Sequence, residues 1–372
     1  MAASLAMEAD NRDGPPFAQK ATHPMKEDAS AAPVAQEFPD TRTDRRRFLG
    51  SLALGAGGGV LAGLGVSLSG HAAAPARSSI LLTAPTSAIG QQVLGHLLDR
   101  QASVRVIARD PARIAPDVRQ RVDVVEGSHG DADVVDKALD GIDTVFWLCP
   151  PDPAAPSVRA AYVDFSRPAC QAIAKRGIRR VVGVSALGRG TPMAAHAGHV
   201  TASLEMDDLI AATGADFRAL TMPSFMENIA RQAAAIRDSG AFFLPMDGDR
   251  TLPAIASGDI ATVAAGLLLD HTWDGQAEVP LLGPQDLSFN DMAGIMSEVL
   301  GKPVQYRRIT FDAYRAGFIQ RGMSSAMAQG MTDMARAKNE GLDNAVTRTS
   351  ANSTPTSFQR WCEAVLRPLV AR

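Results

Sequence analysis

The run Ser79-Ile80-Leu81-Leu82-Thr83-Ala84-Pro85-Thr86-Ser87-Ala88-Ile89-Gly90 decides how the rest of the chain is read. Residues 79–83 are a short apolar run ending in a turn, and Ile89, Val93, Leu94, Leu97 and Leu98 follow at helical spacing. A strand, a tight turn and a helix in this order bring backbone N–H groups and the positive end of the helix to a pyrophosphate. The usual turn of this kind carries three glycines. Here Gly90 keeps the third place, which serves close helix–strand packing, while Ala84 holds the first and Ser87 the second. A side chain at the second place obstructs phosphate, and Pro85 removes one N–H donor. The Thr86 and Ser87 hydroxyls are expected to compensate by donating to phosphate. Thr83, Ala84, Thr86, Ser87, Ala88 and Ile89 are therefore the expected cofactor contacts of the turn. The other reading is an ordinary turn in a sheet that no longer binds nucleotide.

Downstream, apolar runs at residues 104–109, 122–126, 144–149, 181–185 and 217–222 read as strands. Helical patterns separate them, with Gly141, Gly177 and Gly214 as stops. Continuously apolar strands alternating with amphipathic helices predict an α/β fold, a doubly wound parallel sheet of the Rossmann kind. Past Pro223 the pattern loosens. Residues 242–249 read as loop, 259–269 as helix, 279–282 and 304–309 as strands, and Ser288 as the N-cap of a helix ending before Gly301. The predicted organisation is a leader and signal at 1–76, a dinucleotide-binding core at 77–223, and sheet completion plus a smaller α+β substrate or lid domain at 224–372.

With 372 residues, 46% hydrophobic and 21% charged, the chain is neither disordered, collagen-like nor a multi-span membrane protein. A formal net charge of −3 gives no basic surplus, so no nucleic-acid partner is expected. Cys149, Cys170 and Cys362 share no close spacing, which excludes a disulfide framework and CxxC chemistry. No metal site is expected, because His196 and His199 have no acid or cysteine at ligand spacing.

Residues 1–44 lack a hydrophobic period and read as disordered. Arg45-Arg46-Arg47-Phe48-Leu49 then opens an uncharged stretch of Ala, Leu and Gly, followed by Ala72-Ala73-Ala74-Pro75-Ala76. This resembles a twin-arginine export signal, which predicts the twin-arginine export machinery as a partner and an exported, periplasmic protein. The alternative is a membrane anchor formed by residues 48–70. The twin-arginine route carries folded proteins, so a cytoplasmic cofactor can be bound before export.

Arg109 ends the second strand and Asp110 follows it, where ribose selectivity is set in such folds. An arginine pairs with a 2′-phosphate, so Arg109 favours NADP over NAD; the alternative is a surface ion pair.

Several pieces in order are similar to the NmrA-like family of atypical short-chain dehydrogenases. They are Ile80-Leu81-Leu82-Thr83, Val104-Arg105-Val106-Ile107-Ala108-Arg109-Asp110-Pro111 and Thr144-Val145-Phe146-Trp147-Leu148-Cys149-Pro150-Pro151. Val182-Gly183-Val184-Ser185-Ala186, Pro223-Ser224-Phe225-Met226-Glu227-Asn228, Asp259-Ile260-Ala261, Leu282-Gly283-Pro284 and Thr354-Pro355-Thr356-Ser357-Phe358 continue the series. The resemblance extends over residues 78–365 and implies a Rossmann core with a small C-terminal substrate domain. It implies an NADPH-dependent reductase of quinone-type or other acceptors, or a redox sensor that binds dinucleotide without turnover.

The parent superfamily uses a tyrosine with a lysine four residues on. Here the three tyrosines, Tyr162, Tyr306 and Tyr314, are followed at that spacing by Ser166, Thr310 and Phe318. Counted back from Gly214, the corresponding places hold His199 and Ser203. His199 is thus one candidate proton donor, its alternative being a solvated loop histidine. Ser185, at the end of the fifth strand, is the other catalytic candidate and also a cofactor contact; alternatively it simply ends a strand. Cys149 and Pro150 are expected to touch the cofactor, although a buried inert thiol is the other fate of Cys149. Phe225, Met226 and Phe242 are expected to line the substrate pocket. Met323, Met327, Met331 and Met334 form a helical stripe, read first as lid packing and second as ligand lining. The expected function is NADPH-dependent reduction of a small quinone- or carbonyl-type acceptor, with a non-catalytic dinucleotide- or ligand-binding protein as the alternative.

Overall fold

The computed structural model describes residues 79–372. The expected leader, twin-arginine signal and alternative anchor lie outside the described residues. Among the described residues no helix is long and apolar enough to cross a membrane.

Seven parallel strands form the central sheet: β1 (Ser79–Thr83), β2 (Ser103–Ala108), β3 (Asp123–Glu126), β4 (Thr144–Trp147), β5 (Arg180–Ala186), β6 (Asp216–Met222) and β7 (Gln276–Pro280). Their order is β7-β6-β5-β4-β1-β2-β3, the doubly wound order predicted from the alternating pattern. Leu82 of β1 lies between Val106 of β2 and Phe146 of β4. Winding reverses at the β1–β4 pair, so a crevice opens beyond the carboxyl ends of these two strands.

Side-chain alternation along β1 sorts the core. Ile80 and Leu82 pack with Val93 and Leu97 of α1 (Ala88–Asp99) on one face. Leu81 faces the other side, where α2 (Ala132–Ala138), α3 (Phe165–Arg176) and α4 (His199–Ala211) pack. Each such aliphatic side chain, fully removed from water, contributes about 1.5–3 kcal/mol. Further along the chain, α5 (Ser257–Leu269) joins the α1 face through Ile260, Ala264 and Leu268.

The C-terminal part divides three ways. β7 completes the sheet as its outer strand, and its exposed Gln276, Ala277 and Glu278 suit an edge. A third core gathers Phe242, Phe289, Met296 and Trp361 around α6 (Phe289–Leu300), which Ser288 caps as expected. The last long helices, α7 (Phe311–Gln320) and α8 (Ser325–Asn339), return to the main sheet. Met323, Met327, Met331 and Met334 are all buried in the same core as Val200, Met206 and Ile210 of α4, so the methionine stripe is packing.

Residues 242–249, read as loop, overlap the strand Ala241–Leu244, which pairs in parallel with Gln305–Arg308. Its partner lies some sixty positions downstream, so no local pattern announces it. The family-like pieces of the C-terminal half are ties. Asp259 accepts from the backbone N–H and hydroxyl of Thr356 at 3.0 and 2.8 Å, and Glu227 accepts from Ser257 and Trp361.

Candidate functional site

The turn after β1 keeps a glycine-type backbone without the glycine. Ala84 adopts φ +52°, the left-handed region that disfavours any residue with a Cβ. A Cβ on Gly90 would lie 2.1 Å from the Ala84 carbonyl oxygen, so only glycine lets the helix start this close to the turn. Ser87 is the N-cap of α1. Its hydroxyl accepts from the Gly90 N–H at 3.0 Å and donates to the Ala84 carbonyl at 2.9 Å, while its own N–H donates to that carbonyl at 3.1 Å. The expected Ser87–phosphate contact is therefore corrected: this buried hydroxyl holds the turn together. Thr83 is likewise spent inside, donating to the Phe146 and Leu148 carbonyls and accepting from the Leu148 N–H at 2.8 Å. It locks β1 to the end of β4.

What remains for a ligand is backbone. The first four N–H groups of a helix have no intrahelical acceptor. Ser87 and Gly90 have found local ones, which leaves the Ala88 and Ile89 N–H groups at the positive end of α1. The Ile89 side chain is in the core, whereas Ala88 is exposed and Thr86 and Ala84 are half-buried at the rim. Two N–H donors on a cradle that Gly90 alone permits fit a pyrophosphate.

Thr83 is paired with Ile107, so Arg109 stands two residues past that register beside the turn, exposed. Asp110 is committed elsewhere: its carboxylate caps the next turn by accepting from the Ala112 N–H at 3.0 Å. Behind Arg109 lies His129, which the sequence reading passed over. Its ring is buried edge-on against Trp147 and Phe165, at 5.3 and 4.8 Å between centroids. Burial, helped by the Arg109 charge, lowers its pKa to about 4, and its Nε2 has no partner.

At the end of β4, Cys149 is a buried thiol that donates to the Ala161 carbonyl at 3.4 Å, its pKa pushed up to about 12 by burial. That corrects the expectation of a cofactor contact through its side chain; Pro150 beside it is half-buried.

His199 opens α4 but does not face a cleft. Its ring is buried, with Nδ1 3.3 Å from the Tyr162 hydroxyl and Nε2 3.1 Å from the Met327 carbonyl. The carbonyl must receive a proton, so Nε2 donates and Nδ1 accepts from Tyr162. Burial lowers the His199 pKa to about 4. Neither a proton donor at the crevice nor a solvated loop histidine describes it: it pins α8 and the π-helical turn at Ala160–Asp164 to α4. Ser185 is fully buried near the end of β5, where its Oγ donates to Asp207 Oδ2. Asp207 was missed, although an aspartate amid the apolar Leu204, Met206 and Ile210 of one helix was a usable signal.

The expected substrate trio is not brought together. Phe225 packs in the α1-side core, while Met226 and Phe242 lie in the C-terminal core. Phe242 packs tilted against Tyr306 and edge-on to Phe289, at 5.2 and 6.5 Å between centroids, and is inaccessible. Among the described residues no group of three or more His, Cys, Asp or Glu side chains is arranged to hold a metal ion.

Comparison with known proteins agrees with this geometry. The family model described as NAD(P)H-binding matches residues 86–271. The (4-alkanoyl-5-oxo-2,5-dihydrofuran-3-yl)methyl phosphate reductase of Streptomyces griseus is 31% identical over 242 residues, 64% of this chain and 80% of that protein. The NAD(P)H azoreductase of Xenophilus azovorans is 27% identical over 255 residues, 68% of this chain and 85% of its own. Among solved structures, an NADPH-dependent quinone oxidoreductase of Escherichia coli complexed with NADPH superimposes with a TM-score of 0.63 at 19% identity, over 75% of this chain and 97% of that one.

Proposed function

The chain belongs to the NAD(P)H-binding, NmrA-like family of atypical short-chain dehydrogenases, and from that premise we propose that it is an NADPH-dependent reductase of a small quinone- or carbonyl-type acceptor. The observation that carries this reading is the first turn: Ala84 at φ +52° and the tight approach at Gly90 keep the phosphate cradle in shape although two glycines are gone. The Ala88 and Ile89 N–H groups hold the pyrophosphate, and Arg109 pairs with the 2′-phosphate. Asp110, being occupied as a cap, does not compete for the ribose, which supports NADP over NAD. The bound dinucleotide supplies hydride. The protein binds, orients and excludes water at the ends of β4 and β5.

A second reading, a dinucleotide-binding protein without turnover, is favoured by one observation: His199, at the place of the family tyrosine, is buried with both ring nitrogens engaged. The test is oxidation of NADPH by the full chain with a panel of quinones and carbonyls. Steady consumption supports the reductase; none with any acceptor leaves the binding protein.

Export in folded form through the Arg45-Arg46 signal is part of the proposal. Fractionation of cells expressing wild type and a variant with both arginines changed to lysine tests it, and an unchanged distribution refutes it.

A further inference from the structure

Arg250 is a half-buried cation with no acid to meet it. Among the described residues no carboxylate lies within ion-pair distance of it, and its Nε is inaccessible and has no hydrogen-bond partner. Arg105 and Arg348, also half-buried, are matched by Asp123 and Asp286. The aspartates nearest to Arg250 in the sequence are spent elsewhere. Asp247 pairs with Arg308 at 3.3 Å, and Asp249 accepts from Asn290 Nδ2 at 2.7 Å. Buried donors are nearly always paired, and a charge drawn out of water needs a partner more than a neutral group does. With Nε closed off, the terminal nitrogens are what the guanidinium offers to a ligand.

Room for the guanidinium comes from a glycine. Gly341 follows α8 in the left-handed region, at φ +101°, and a Cβ there would lie 2.3 Å from Arg250 Nη2. Side-chain bonds fix the turn that holds Gly341. Lys338 and Asp343 form a buried ion pair across it, so their charges cancel and Arg250 keeps its own. Asn344 Nδ2 donates to the Thr251 carbonyl at 3.1 Å, and Asn339 Oδ1 accepts from the Asp247 N–H at 2.7 Å. The same turn lies against the end of the sheet: a Cβ on Gly188, two residues past β5, would meet Leu342 at 2.7 Å. The Arg250 guanidinium, against Gly341, thus stands beyond the carboxyl end of β5, on the side where such sheets bind ligands.

We propose that Arg250 is a substrate-binding residue that takes an anionic group of the acceptor, a carboxylate, sulfonate or phosphate, so that the acceptors of this protein are acidic molecules. The proposal deepens the reductase reading above and rests on it. A guanidinium presents its N–H groups as a planar fork, which matches the paired oxygens of such anions. Half out of water, the resulting ion pair is screened less than one on the open surface. The charge also selects: a neutral acceptor of the same shape leaves Arg250 unanswered, as it is now, and binds more weakly.

The test uses the full chain as wild type, Arg250→Gln and Arg250→Lys, with Arg307→Gln as an exposed control. Binding without turnover is read by calorimetry in the presence of NADP, with naphthalene-2-sulfonate against neutral 2-naphthol. Turnover is read with NADPH and 1,4-naphthoquinone, with and without a 2-sulfonate. Wild type and Arg307→Gln should bind the sulfonate at least about tenfold more tightly than the naphthol. Arg250→Gln should bind the two about equally, and Arg250→Lys should keep part of the preference, which a merely structural role would not give. In turnover, Arg250→Gln should raise KM for the sulfonated quinone about tenfold and leave kcat, and both constants for the neutral quinone, within about twofold. Equal binding of the two probes by wild type, or a sulfonate preference kept in Arg250→Gln, overturns the anion site and leaves the reductase reading standing if either quinone is reduced. Sulfonate binding that depends on Arg250, without reduction of either quinone, supports the anion site and overturns the reductase reading.

Discussion

Replacing Asp207 by asparagine should make the protein more stable at pH 8 than wild type, yet leave the two nearly equal near pH 4. In the folded protein the Asp207 pKa is raised from 3.8 to about 8, mainly by burial. A folded pKa above the unfolded one means that the folded state holds the proton longer. The contribution of the neutral acid is therefore fully present below about pH 4 and is lost progressively as pH rises to about 8, where it levels off. At 1.36 kcal/mol for each of roughly four pH units, the loss amounts to about 5 kcal/mol. With the side chain only 2% exposed, solvent screening takes little from that figure. Asparagine matches the neutral acid in shape and hydrogen-bonding capacity but does not ionise. Urea unfolding of both proteins at a series of pH values from 4 to 9 gives the difference directly, because all other titrating groups cancel between them. A difference that climbs by several kcal/mol across this range is expected. A flat difference would refute the raised pKa of this buried acid.

Other consequences are smaller or more local. Ala84→Gly should raise stability by about 0.5–1 kcal/mol in urea unfolding, since relief of a left-handed alanine, about 1–2 kcal/mol, exceeds the entropy glycine adds to the unfolded chain. Gly90→Ala should cost about 1–3 kcal/mol and weaken NADPH binding at least about tenfold, because the new Cβ would press on the Ala84 carbonyl oxygen at 2.1 Å. His199, whose folded pKa is lowered from 6.5 to about 4, should lend stability that is present above pH 6.5 and lost as pH falls toward 4. His199→Gln should flatten that acid limb by about 3 kcal/mol, read from the same unfolding series.

The sheet was legible because parallel strands buried on both faces must be continuously apolar, and residues 79–83, 144–147 and 181–186 are nearly so. Helix ends were legible where one residue carries the signal, as with Ser288 before α6 and Gly177 after α3. Strand Ala241–Leu244 was not, because its pairing partner is remote in sequence. At the site, sequence position told which residues stand near the crevice but not where their side chains are spent. Thr83, Ser87 and Cys149 are near it and bond inward. Phe225, Met226 and Phe242 read as pocket because apolar aromatic and methionine side chains suit both a pocket and a core, and only packing separates the two. His199 was mislocated because α4 begins at His199 itself, just after Gly198 with φ +55°, well before the apolar Leu204, Met206 and Ile210.

The central claim is that a turn with Ala84 and Ser87 in place of glycines still binds a dinucleotide, and that Arg109 selects the 2′-phosphate. Calorimetric titration of the full chain with NADPH and with NADH, repeated on Arg109→Ala, tests both halves. Micromolar NADPH binding is expected, tighter than NADH by about tenfold or more, with Arg109→Ala reducing that preference toward parity. Binding of neither cofactor by the wild type would contradict the account.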